Sequence, residues 1–275
     1  MRLGVFVDFL AMMTFVDTHA HLYSHKFDND RPDMVRRAIA AGVTRMYLPN
    51  IDSESIDAML ALEAEFPDNC FATMGLHPGS VQPDTWEREL ATVEQWLGKR
   101  KWAGVGETGI DLYWDKSTLE IQKIAFGKQI EWAKDLGLPI IIHSRESNEE
   151  CLEMVGNAQD GRLRGIFHCF SGTLEQARRM IDLGFMLGIG GTLTYAKSEL
   201  PEVLRHIPLE HIVLETDSPY LPPVPHRGKR NESAYVRLVA DMLSEVKVLP
   251  LAEIARKTTE NAWRMFHPGQ IATKG

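Results

Sequence analysis

The chain has 275 residues, 44% of them hydrophobic, and a formal net charge of −8. That length gives one large domain or two small ones, with ample material for a core. The acidic balance excludes a protein that grips nucleic acid by bulk charge, because such binding rests on Lys and Arg neutralising phosphates; an enzyme whose site carries its own cations stays open.

The opening segment, residues 1–13, is apolar and short, with one Arg and no A-x-A cleavage site. It reads as an N-terminal extension ahead of the first strand rather than a signal peptide. Phe15-Val16 leads into Asp17-Thr18-His19-Ala20-His21. If this run is a strand, side chains alternate, so His19 and His21 project from one side and can grip one metal ion.

A helix is expected from Pro32 to Ala41, with Met34, Val35, Ala38 and Ile39 on one face, closed by Gly42. Val43–Ile51 reads as the second strand. Asp52-Ser53 can cap a helix running to Phe66, and Cys70–His77 is the third strand. Thr85–Gly98 is helical, and Trp102–Glu107 is the fourth strand. Leu119–Leu136 forms a long helix closed by Gly137. Pro139–His143 is a continuous apolar strand tipped by Ser144-Arg145. The alternation continues with a helix over Asn148–Val155, a strand over Arg164–His168, a helix over Leu174–Leu183 and a strand over Phe185–Gly190. A short helix over Leu200–Ile207 and a strand starting at His211–Glu215 follow. A loop rich in Pro, Arg and Lys, from Leu221 to Arg230, then leads to closing helices over Ser233–Val246 and Leu251–Phe266.

Eight strands alternate with helices, and several strands are nearly all apolar, as in a parallel sheet covered on both faces. No linker or composition shift divides the chain. One α/β domain, a (β/α)8 TIM barrel over residues 14–266, is therefore expected, with a tail from 267 to 275. The three cysteines, Cys70, Cys151 and Cys169, are odd in number and form no C-x-x-C pair, which predicts a reduced, cytoplasmic chain. No stretch is long enough to span a bilayer.

The polar residues collect at strand ends. His19 and His21 close the first strand, His77 the third, Glu107 the fourth, His143 the fifth, His168 the sixth and Asp217 the eighth. Five of the ten histidines thus lie at positions that a barrel brings to one rim, where barrel active sites sit. The set is large enough for two divalent cations. Glu107 can bridge them through its two oxygens, with His19, His21 and Asp217 completing one site and His143 and His168 the other. Two such ions about 4 Å apart polarise an ester and make hydroxide available near neutral pH. Asp217 can orient that water and take its proton.

Taken in order, D-T-H-A-H-L, G-L-H-P, G-E-T-G-I-D, I-H-S-R, H-C-F-S-G, E-T-D-S-P-Y-L and R-G-K-R-N-E-S resemble the motifs of the TatD-type metal-dependent deoxyribonucleases, in the amidohydrolase superfamily of TIM barrels. The resemblance spans Phe15 to Phe266. It implies the ligand set His19, His21, Glu107, His143, His168 and Asp217. It also implies hydrolysis of phosphodiesters in DNA, as a 3′→5′ exonuclease acting on single strands or ends. The metal is open among Zn, Mn and Mg. Two mild departures are Thr108 and Ile110 in the fourth-strand motif and Ser233 in the last.

Several other residues admit two readings. Arg145 can share the face of His143 and offer two donors to a phosphate, or form a rim salt bridge. His77 can touch phosphate or support the rim. Arg227, Lys229 and Arg230 can contact phosphate near the rim or sit in a solvated loop. Asp111 is expected to buttress a ligand or loop, Glu215 to orient a His, and Cys169 to point into the core. Tyr113 and Trp114 can stack on a base or cover the rim. Two other functions compete with the nuclease: a binuclear hydrolase of a carboxyl ester, lactone or amide, such as an aminoacyl ester on RNA, and a non-catalytic metal-binding protein. The bridging position is Glu107 and no strand end offers a Lys, which favours the nuclease branch over relatives bridged by a carboxylated Lys.

Overall fold

The computed structural model describes residues 13–269. The expected extension lies outside the described residues apart from Met13, as does the expected tail from residue 270 onward. Within them, strands β1 (Phe15–Asp17), β2 (Val43–Pro49), β3 (Cys70–Thr73), β4 (Val105–Asp111), β5 (Ile140–Arg145), β6 (Gly165–Phe167), β7 (Phe185–Ile189) and β8 (Ile212–Leu214) alternate with helices. The helices are α1 (Arg31–Ala40), α2 (Ile56–Glu65), α3 (Trp86–Leu97), α4 (Leu119–Leu136), α5 (Asn148–Ala158), α6 (Leu174–Asp182) and α7 (Leu200–Arg205), followed by α8 (Val236–Lys247) and α9 (Leu251–Phe266).

All strand pairs are parallel, in two ladders of order β1-β2-β3 and β4-β5-β6-β7-β8. The seams between the ladders are made by single parallel bridges, Met74 with Val105 and Ala20 with Ser218. At the second seam Thr18 N also donates to Leu214 O at 3.0 Å. Neighbours therefore run round from β1 to β8 and back, a fold of TIM-barrel type.

Strand alternation separates two cores. In β5, Ile140 and Ile142 join the large cluster packed against the helices, whereas Ile141 joins a smaller one with Val16, Tyr47, Ile166, Met186 and Val213. The period of two carries His143 inward above Ile141, and likewise His168 above Ile166 and Glu215 above Val213. The small cluster is finished by Ala262, Met265 and Phe266 of α9, with Phe266 stacked on Tyr47 at a centroid distance of 3.5 Å. Helix α9 lies at the N-terminal end of the strands. There Asn261 Nδ2 donates to Leu209 O and Ile212 O, and Thr259 Oγ1 to Thr14 O. This plug, not foreseen in the sequence, leaves the opposite rim as the open end.

The boundaries differ from expectation in instructive places. β3 stops at Thr73, and His77 instead caps a single 3-10 turn, Pro78–Ser80. β4 continues past Glu107 to Asp111, because Thr108 through Asp111 pair with Ile142 through Arg145. His211 belongs to a 3-10 turn ahead of β8, and Ser233–Tyr235 form another ahead of α8.

Candidate metal centre

Glu107 stands at the middle of the open rim because β4 is irregular beneath it. The register shifts between Val105 and Thr108, and Glu107 N donates to Asn50 O on the far side rather than to β5. Gly106 makes this possible. Its φ is +145°, and a Cβ there would stand 2.8 Å from both Cβ and O of Ile141, so only glycine fits. On the other flank, Asp217 adopts a φ of +54°. This left-handed conformation is one that Asp tolerates. It lets Asp217 N donate to His19 O while its carboxylate turns to the rim.

Two sets of donors face the two oxygens of Glu107. Oε2 lies 3.2 Å from His19 Nε2 and 3.3 Å from His21 Nε2. Those two nitrogens are 3.3 Å apart, and Asp217 Oδ1 lies 3.8 and 3.5 Å from them. A four-coordinate ion with bonds of about 2.0–2.1 Å spans donor separations of about 3.3–3.4 Å, close to these. On the other side, Oε1 lies 2.8 Å from both His143 Nδ1 and His168 Nε2, which are themselves 3.2 Å apart. His77 Nε2 lies 3.4 Å from the same oxygen.

The outer partners of the rings fix which nitrogen faces inward. Tyr23 gives its hydroxyl proton to Pro49 O at 2.5 Å, so it can only accept from His21 Nδ1 at 3.0 Å. In the neutral ring His21 Nε2 is thereby left as the lone pair. Asp111 Oδ2 accepts from His143 Nε2 at 2.9 Å, which leaves Nδ1 bare. Asp111 also receives the backbone N–H of Tyr113 and Trp114, so it buttresses ligand and loop together. His77 is the opposite case. Its Nδ1 accepts from Gly79 N at 2.9 Å, so the neutral ring presents Nε2–H to the cavity, a donor rather than a ligand. Glu215 lies below His168, its Oε1 3.6 Å from Nδ1 and accepting from Cys169 N. The carboxylate crosses β7 only because residue 188 is Gly; a Cβ there would stand 2.2 Å from Glu215 Oε2.

The donor set fits a cation. Glu107 Oε2 is buried with no hydrogen-bond partner, 3.3 Å from His21 Nε2. Acceptors this close require positive charge between them, a proton or a metal ion. The titration of the groups reflects this. Burial opposes charge on His21 and His168, yet the carboxylates of Asp217 and Glu107, and of Glu107 and Glu215, raise them to about 10. Burial likewise pushes Glu107 up, but the fields of His168, His19 and His77 hold its carboxyl well below the usual range. His77 is lowered, chiefly by burial. Among the described residues, three groups have donor atoms close enough to hold an ion: His19 with His21 and Asp217, His19 with Glu107 and His168, and His77 with Glu107 and His143.

The centre opens into a cavity of about 570 Å³ whose wall includes His77, Arg145, Cys169, Thr192 and Tyr220. Arg145 forms no ion pair among the described residues. Its guanidinium lies 3.7 Å from the centroid of Tyr113 and 5.5 Å from that of Trp114. Tyr113 and Trp114 are 49% and 76% exposed, and Trp114 also lines the cavity. Cys169 departs from its expected place in the core. A φ of +47° just past β6 turns it onto the cavity wall. Arg230 is also elsewhere, since Asp30 holds its guanidinium through two bonds of 2.8 and 2.7 Å. Arg227 lies beside the rim in a smaller adjoining cavity. Sequence reading missed Tyr23 and Thr192. For Tyr23 a signal existed, since it continues the alternation of His19 and His21.

A barrel with imidazoles and carboxylates converging on one rim, each ring oriented by a partner behind it, has the architecture of a TIM-barrel metal-dependent hydrolase. The family model described as TatD related DNase matches residues 16–267, and the chain belongs to that family. It is 39% identical over 251 residues to the uncharacterized metal-dependent hydrolase YabD of Bacillus subtilis, covering 91% of this chain and 98% of the relative. It is 31% identical over 257 residues to a protein of Cronobacter sakazakii named 3′-5′ ssDNA/RNA exonuclease TatD, covering 91% and 97%. The crystal structure of YjjV, a TatD homologue from Escherichia coli, superposes with a TM-score of 0.87 at 32% identity over 93% of this chain and 98% of that one.

Proposed function

We propose that the protein hydrolyses phosphodiester bonds of DNA, removing nucleotides from the 3′ end of single strands, with two divalent cations (Zn, Mn or Mg) at the rim. The observation that carries this reading is the placement of Glu107, whose two carboxylate oxygens each face a separate set of imidazole nitrogens. His19, His21, Glu107 and Asp217 would hold one cation, and Glu107, His143 and His168 the other. When bound, such cations polarise a phosphoryl oxygen and lower the pKa of water.

The chain's own groups supply the rest. Burial raises Asp217, but the hydrogen bond from His21 and the fields of His19 and His21 hold it below its ordinary range. It is therefore ionised at neutral pH and able to accept the proton of an attacking water. His77 offers its Nε2–H, and Arg145, free of ion pairs among the described residues, offers a planar fork for a phosphate oxygen. Exposed Tyr113 and Trp114 suit an unpaired base, which supports a single-stranded substrate. The name of the Cronobacter relative supports the same substrate and polarity.

The test is digestion of 3′-labelled and 5′-labelled single-stranded oligonucleotides, after chelator treatment and readdition of Mg²⁺, Mn²⁺ or Zn²⁺. Metal-dependent stepwise loss from the 3′ end is expected. An intact, metal-loaded protein that leaves DNA whole would shift the substrate to a carboxyl ester, lactone or amide.

A further inference from the structure

The cavity over the metal centre does not end at the rim. Thr192, in the turn after β7, also lines a second cavity of about 400 Å³, whose wall continues through Tyr195, Ala196, Lys197, Ser198 and Arg227. The two spaces therefore meet at one residue. Thr192 Oγ1 is buried and has no hydrogen-bond partner, a polar atom left unused where the cavities join.

The wall is built by docking two loops. The segment after β8 lies against the turn after β7 so closely that a Cβ on Gly191 would stand 2.1 Å from Leu221 O. Val224 N donates to Thr194 Oγ1 at 2.9 Å, and Tyr195 Oη donates to Pro222 O at 3.2 Å. Tyr195 is thus fixed at its tip, and the Arg227 guanidinium lies 3.8 Å from its ring centroid. Such stacking orients the planar fork and leaves its edge N–H groups available. Neither Arg227 nor Lys197 forms an ion pair among the described residues, whereas Arg230 nearby in sequence is held by Asp30. On a chain of net charge −8, two unpaired cations around an unpartnered hydroxyl define a local anion site.

We infer that this second cavity binds a backbone phosphate of the substrate next to the linkage being cut, with Arg227 and Lys197 as its cationic contacts and Thr192 as a donor at the junction. The inference rests on the phosphodiesterase reading and adds that the substrate is a chain with at least two phosphates. The geometry makes Arg227, Lys197 and Thr192 substrate-positioning groups, none of them among the donors that face Glu107. Loss of one phosphate contact lowers the salt dependence of single-strand binding by about 0.7 in log–log slope.

The experiment compares R227A and the pair R227A/K197A with the wild type on two substrates, a single-stranded oligonucleotide and bis(p-nitrophenyl) phosphate, a diester with no second phosphate. The expected result is a loss in kcat/KM on the oligonucleotide of about tenfold or more for the pair, carried by KM, with a shallower salt slope. Hydrolysis of the small diester should stay within about twofold of wild type, as the metal centre is untouched. A single uncharged methylphosphonate, moved along the strand, should reproduce the loss in wild type at one linkage beside the scissile bond and add nothing in the variants. Equal losses on both substrates, no loss on either, or additive methylphosphonate effects at every linkage would overturn the subsite while leaving the nuclease reading standing. A wild type that cuts the small diester but no oligonucleotide would overturn the subsite and the nuclease assignment together. Failure on both substrates would remove the phosphodiesterase reading and the inference with it.

Discussion

The two ends of this barrel are made from the same eight strands and do opposite work. At the N-terminal end the inward positions are Val16, Tyr47, Ile141, Ile166, Met186 and Val213, sealed by Ala262, Met265 and Phe266 of α9. One or two strand steps higher, the inward positions become His143, His168 and Glu215. The lower layer gains stability from removing apolar surface from water. The upper layer costs stability, because it buries Glu107 and His19 with donor atoms, Glu107 Oε2 and His19 Nδ1, that lack partners. A barrel can carry the second because the first is complete, and strand alternation keeps the two in register.

That contrast can be broken from either side. Glu107→Ala should lower turnover on the order of 10³-fold or more, since a shared ligand worth several kcal/mol is lost. Metal content, read by elemental analysis, should fall with it, while the circular dichroism spectrum shows the fold retained. Full activity in this variant would remove Glu107 from the centre. Phe266→Ala should do the reverse, costing about 3–5 kcal/mol in denaturant unfolding by emptying the stack on Tyr47, with kcat/KM per folded molecule unchanged.

Finer tests act one layer behind the ligands. Tyr23→Phe deletes the hydroxyl that sets the tautomer of His21 and should weaken metal affinity about 10–100-fold without altering the fold. Asp111→Asn tests the same logic at His143, and an unchanged affinity in both would mean that the rings orient without these partners. The smallest effect is a proton count. With no metal bound, His21 and His168 titrate near 10 and hold protons at pH 7. A metal ion takes only the neutral ring. Loading at pH 7 should therefore expel about one proton from each, and the release should fade as pH rises through 10. Calorimetry in buffers of different ionisation enthalpy measures this, and zero release at pH 7 would mean that both rings are already neutral before the cation binds.

Much of the fold was legible in the chain itself. Apolar runs such as Ile140-Ile141-Ile142, alternating with helical stretches, specify a parallel sheet covered by helices, because backbone period and hydrophobic burial are local properties. Polar residues at strand ends are legible for the same reason, which is how His143, His168 and Asp217 stood out. Tertiary structure decided the rest. The turn of Cys169 onto the wall, the capture of Arg230 by Asp30, the tautomer of His143 and the closure of the barrel floor by α9 depend on groups far apart in the chain, while His21 and His77 take their tautomers from the near neighbours Tyr23 and Gly79, whose contacts only the folded backbone fixes. Sequence determines which residue types a strand or turn presents. Only packing determines which partner reaches each atom, because a hydrogen bond is settled by a few tenths of an ångström that no local pattern encodes.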